Sequence, residues 1–167
     1  MVGLRGLIAY TMKKLKDNKI YRRTFVQKIL YFTLPTEARN ELFIPYLFGP
    51  YSPGIQRLIQ YLENNPRYIE EWEIEVQDSP FTAEVDTLVE FIKRNGIHTK
   101  HFSQLAKLHF ILNALDIKSP SQLNEALISE IKKMSATLGW LEFSKIGDDK
   151  LRKLTLELKT LLDSRQT

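Results

Sequence analysis

The chain has 167 residues and a mass of 19.6 kDa, is 43% hydrophobic and 26% charged, and contains no cysteine. That is the size of one domain with enough apolar material for a core, so global disorder is excluded, as are disulfides, thiolate metal sites and a cysteine nucleophile. The net charge is +4, and no run of about 18 apolar residues and no signal-type N-terminus is present, so the expectation is a cytoplasmic protein away from membranes.

From Val2 to Asp17, Leu4, Leu7, Ile8 and Leu15 fall on helical spacing, and this first helix, residues 2–17, is strongly basic. In YRRTFVQKILYFTLP, Phe25, Ile29 and Phe32 follow i, i+4, i+7, while Val26, Leu30 and Tyr31 widen the stripe until most of the helix must be buried. Pro35 ends it. Glu41 to Phe48 is rich in Phe, Ile and Tyr, which predicts an extended segment, and Pro45 demotes it to an edge strand or ordered loop. From Pro53, residues Ile55, Leu58, Ile59 and Leu62 predict a third helix.

Tyr68 to Gln77 (YIEEWEIEVQ) alternates, with Trp72, Ile74 and Val76 on one face and Glu71, Glu73 and Glu75 on the other, and reads as the best strand of the chain. Paired with the Phe43 segment it would form a two-stranded ribbon that needs helices packed on it. Helices are then predicted over Thr82 to Arg94, stopped at Asn95-Gly96, over Phe102 to Leu115, over Ser121 to Leu138 behind Ser119-Pro120, and over Asp148 to Asp163. The expected fold is a single, mainly α domain with a small two-stranded β element (α+β), on a winged-helix-like scaffold, with no internal repeat.

The charge is unevenly placed. Residues 1–28 carry eight basic residues against Asp17 alone, and residues 63–90 carry nine acidic residues against Arg67 alone. The two poles either attract each other inside one fold, or the basic pole meets phosphates or an acidic partner.

The stretch FGPYSP, Phe48 to Pro53, is the most informative. Ser52 followed by Pro53 is a helix start, the serine oxygen accepting from a free first-turn amide and the proline occupying a position whose donor is unpaired anyway. Gly49-Pro50 is expected to supply a tight turn before it. Tyr46, Phe48 and Tyr51 would then either line a recognition corner for an acidic side chain, a chain terminus or a phosphate, or pack over the core beneath Leu30 and Ile59.

KILYF at Lys28 to Phe32, YLFGPYSPGIQRLIQYL at Tyr46 to Leu62 and LAKLHFIL at Leu105 to Leu112 together resemble the SocA-like or Panacea family and its YwgA-like relatives, over about residues 25–138. The basic N-terminal helix and the leucine-rich helix, residues 148–163, lie outside the shared pattern. The resemblance implies a small helical domain without chemistry of its own, found in prophages and in two-gene toxin–antitoxin pairs, that binds and neutralises a partner protein. It places Lys28, Tyr31, Tyr46, Gly49, Pro50, Tyr51 and Ser52 at shared positions, and Phe48 joins them as part of the corner. It implies no cofactor.

Chemistry is not indicated elsewhere. His98, His101 and His109 cluster within a dozen residues, but their spacing matches no zinc pattern, with Glu90 or Asp116 the nearest further ligands, so no metal is expected. There is no phosphate-cradling loop, no HExxH and no GxSxG. Carboxylate pairs such as Glu70-Glu71 and Asp148-Asp149 sit in exposed acidic runs, and an enzyme is not expected.

Nucleic-acid binding is the alternative. Three helices followed by a strand is the order of a winged helix, and Lys13, Lys14, Arg22 and Arg23 could meet a phosphate backbone, although an acidic wing at Glu70 to Glu75 would repel it. Finally, Leu151, Leu154, Leu158 and Leu161 are spaced for either core packing or a homodimer seam.

Overall fold

A computed structural model describes residues 3–117 and 123–164. Among them, ten α-helices and one two-stranded hairpin surround one apolar core drawn from both ends of the chain. The order is α1 (Leu4–Asp17), α2 (Arg23–Thr33), α3 (Thr36–Leu42), β1 (Ile44–Tyr46), β2 (Gly49–Tyr51), α4 (Pro53–Asn64), α5 (Arg67–Glu73), a 3-10 turn (Ile74–Val76), α6 (Pro80–Asn95), α7 (Thr99–Ala114), α8 (Glu125–Thr137), α9 (Leu141–Ser144) and α10 (Asp148–Ser164). No helix among the described residues is long and apolar enough to cross a membrane.

The second helix is central, as its wide stripe predicts: every residue from Phe25 to Thr33 is buried. It lies against α7, where Phe102 meets Phe25 and Phe32 with ring centroids 5.9 and 5.5 Å apart. The short helix α3, which the sequence pattern hides, returns Arg39 to the C-terminal end of α2. Its guanidinium donates to the carbonyls of Tyr31 (2.7 Å) and Leu34 (3.1 Å), satisfying acceptors that a helix end leaves open.

The segment Tyr68 to Gln77 is not a strand. It is α5 and the 3-10 turn, and the reason is visible in the same residues: Ile69, Trp72 and Val76 also satisfy i, i+3, i+7. Ile69 and Val76 are buried, whereas Ile74, which fits only the alternating pattern, is 62% exposed. The partner that selects the helix is α1. At Gly6 an added Cβ would stand 2.7 Å from the Trp72 carbonyl oxygen, so the two backbones approach as closely as glycine permits. The wing strand of a winged helix is therefore replaced by a helix after α4.

The ribbon also pairs differently. β1 pairs with β2, Ile44 opposite Tyr51 and Tyr46 opposite Gly49, rather than with the Tyr68 segment. The chain reverses at Leu47-Phe48, not at Gly49-Pro50, and α3 occupies the first residues of the stretch expected to be extended. Near the C-terminus, α8 starts at Glu125, where the Asn124 side chain accepts from the Leu127 amide. Ser119-Pro120, expected to open that helix, lie outside the described residues. In α10, Leu151, Leu154, Leu158 and Leu161 are all buried in this chain's own core, so packing accounts for the leucine spacing without a dimer seam.

The two charged poles face each other. Arg5 meets Glu75 (2.6 Å), Lys13 meets Glu73 (3.0 Å), Lys14 meets Asp86 (3.6 Å), and Arg23 pairs with Glu63. Tyr21 and Tyr10 donate to Glu63 and Asp86 from the same seam, and burial with these carboxylates raises both phenols well above their ordinary range.

Candidate functional site: an anchored hairpin with an apolar tip

The residues singled out around FGPYSP come together in space, but they divide into an inner and an outer set. Ser52 caps α4, its hydroxyl accepting from the Ile55 amide (3.2 Å), with Pro53 at the first helical position. Its own backbone is held from α2. The Gln27 side-chain amide donates to the Ser52 carbonyl and accepts from the Ser52 N–H, both at 2.9 Å, as a neighbouring strand would. One position on, Lys28 donates from Nζ to the Pro50 carbonyl at 2.7 Å. Lys28 is 2% exposed, and its burial, with Lys107 adding like charge, pulls its pKa down from 10.5 to about 7.

Gly49 is required where it stands. Its φ is +112°, and a side chain there would press on Lys107 Cγ at 3.2 Å and on the Ser103 carbonyl at 3.5 Å. The left-handed backbone favours glycine here, and its missing side chain lets β2 lie close on α7. From the far end of the chain, Trp140 donates its indole N–H to the Tyr46 carbonyl at 2.5 Å and packs edge-on against Phe110. The hairpin is thus fixed by α2 on one side and by the start of α9 on the other.

The outer set is apolar and unprotected. Ile44, Tyr46, Leu47 and Phe48 are exposed by 47, 50, 68 and 67%, and Leu141, next to Trp140, by 59%. Tyr46 stacks on half-buried Tyr51 with centroids 5.0 Å apart, which stiffens the base of the tip. So Lys28, Tyr31, Gly49, Pro50 and Ser52 are buried, while Tyr46 and Phe48 reach solvent. Ile44, Gln27, Leu47, Lys107, Trp140 and Leu141 belong to this assembly without having been singled out in the sequence. Ile44, Leu47, Gln27 and Lys107 lie inside segments the sequence marked, whereas Trp140 and Leu141 carry no sequence signal.

Tyr31 has a different setting. Its hydroxyl and His109 Nδ1 share a 2.7 Å hydrogen bond inside the core, beside a cavity of about 650 Å³ between α2, α3 and α7 that Arg39 also lines. His109 is buried. His101 lies 2.6 Å from Glu157, and no group of three or more potential metal ligands exists among the described residues. Of the residues proposed for nucleic acid, Lys13, Lys14 and Arg23 are the ones in ion pairs across the seam, and Arg22 is exposed at the N-cap of α2.

Comparison with models of known protein families, with characterised proteins and with solved structures returns no match.

Proposed function

We propose that this protein is a non-enzymatic protein-binding module whose contact surface is the hairpin tip. The observation that carries the reading is the contrast between root and tip. Buried polar side chains, Gln27 and Lys28, are committed to holding a hairpin of three-residue strands, and the hairpin holds four large apolar residues in water. Exposed apolar groups that cluster on a rigid support are the usual mark of an interaction surface. The resemblance of KILYF and YLFGPYSP to SocA-like or Panacea domains supports the same class and makes the partner a toxin of a two-gene pair. On this reading the shared positions Lys28, Gly49, Pro50 and Ser52 build the corner, and Tyr46, Leu47 and Phe48 touch the partner. Duplex binding by the first helices is the weaker reading, because the acidic pole already neutralises three of the four basic side chains it would use.

The test is an affinity capture with tagged wild-type protein and with the double variant Leu47→Ser/Phe48→Ser, each with and without nuclease. The expected result is one stoichiometric protein that survives nuclease on the wild type and is lost from a variant with an unchanged melting midpoint. Equal capture by both proteins, or capture that vanishes with nuclease, overturns the proposal.

A further inference from the structure

Two lysines lie beneath the exposed tip. A Cβ at Gly49 would touch the stems of both, Lys107 Cγ at 3.2 Å and Lys28 Cε at 3.6 Å, so they run side by side under β2. Neither has a carboxylate within 4.0 Å among the described residues, in contrast to Arg5, Lys13, Lys14 and Arg23 on the opposite seam. Lys28 is closed off and directed at Pro50. Lys107 is half-buried and reaches outward, its ammonium 5.8 Å from the centre of the Trp140 ring, whose N–H holds the Tyr46 carbonyl. The ammonium therefore lies at the flank of the hairpin, beside the Trp140 ring that anchors it at Tyr46. The charges that act on it are Glu142, which favours its protonated form, and Lys100, which opposes it; burial is the largest influence and lowers its pKa.

We infer that the partner segment seated on this tip is an acidic peptide stretch, with an apolar side chain packed on Leu47, Phe48 or Leu141 and an Asp or Glu carboxylate reaching Lys107. This inference rests on the protein-binding reading above and specifies the partner's chemistry. A cation half-withdrawn from water, with a second lysine behind it and only the longer-range charge of Glu142 in its favour, has no carboxylate in direct contact, which an arriving Asp or Glu would supply, and it repels a basic segment. The apolar tip supplies the area and the lysine supplies the choice among apolar segments.

The probe is a displayed library of random peptides selected on the wild type, on Lys107→Gln, on Lys107→Arg and on Phe48→Ser. The best enriched peptide is then measured by fluorescence anisotropy beside its Glu→Gln twin. Wild type should enrich sequences with an aromatic or branched aliphatic residue near Asp or Glu, and the amide twin should bind about tenfold more weakly. Lys107→Gln should bind both twins alike, and Lys107→Arg should retain the preference. Enrichment without acidic residues, equal binding of the twins to wild type, or no enrichment at all overturns the inference. The two readings fail separately. Apolar enrichment lost in Phe48→Ser but without acid preference sinks only the acidic partner, whereas acidic enrichment unaffected by Phe48→Ser sinks the tip as contact surface. The comparison of twins on wild type stands even if Lys107→Gln does not fold.

Discussion

Replacing Lys28 with methionine should stabilise the protein at neutral pH and destabilise it in alkali. The side chain is nearly as long and fills the same buried channel, but it brings no ammonium. In the native fold the lysine pKa falls from 10.5 to about 7, so the unfolded chain holds a proton that the folded chain has half released at pH 7. At about 1.36 kcal/mol per pH unit, that difference costs the wild type roughly 4 kcal/mol at pH 7. Methionine removes the cost but leaves the buried Pro50 carbonyl without its 2.7 Å donor, a loss of about 1–3 kcal/mol. The net gain at pH 7 is therefore about 1–3 kcal/mol, or roughly 2–4 °C of melting temperature per kcal/mol. The sign follows from proton counting. Between pH 7 and 10.5 the unfolded chain binds the extra proton, so the lysine's cost shrinks as pH rises and has nearly gone by pH 10. There only the missing hydrogen bond remains, and the variant should be the less stable protein. Urea denaturation of both proteins at pH 7, 8.5 and 10 reads the difference, because titrating groups other than Lys28 and its neighbour Lys107 cancel. A variant that is less stable by the same amount at every pH would refute the reasoning, since the lysine would then be held without a desolvation cost.

Other substitutions test the anchors and the seam. Gln27→Leu strands the buried Ser52 N–H, while the Ser52 carbonyl keeps the Gln56 amide, and should cost about 1–3 kcal/mol in urea denaturation. Gly6→Ala forces a methyl group to 2.7 Å from the Trp72 carbonyl, which should part α1 from α5 and cost about 1–3 kcal/mol by thermal melting. Because the acidic pole occupies Lys13, Lys14 and Arg23, the wild-type protein should give no gel retardation of duplex DNA at low salt, and a clear shift would revive the nucleic-acid reading.

Much of the fold is legible in local pattern. Helical spacing placed α2, α4, α6, α7 and α10 because each has a single apolar stripe and recognisable ends, such as Ser52-Pro53 and Asn95-Gly96. Tyr68 to Gln77 reads as a strand and folds as a helix because Trp72 and Val76 satisfy both periods, Ile74 completing the alternating one and Ile69 the helical one, and local pattern cannot choose between them. The choice lies with α1, sixty-odd residues away, which offers Gly6 to a helix backbone and basic side chains to its glutamates. The short α3 has no stripe to reveal it, since it is secured by Arg39 at the end of another helix.

The candidate site divides in the same way. Sequence alone marked the FGPYSP corner, through the chain punctuation of glycine, proline and serine, and the two charged poles. What it could not determine was which of these residues face inward. That depends on partners remote in the chain: Gln27 and Lys28 on α2, Lys107 on α7, and Trp140, which reaches the Tyr46 carbonyl from 94 residues downstream. A side chain's exposure is set by what packs over it, so only the tertiary structure separated a buried root from an exposed tip.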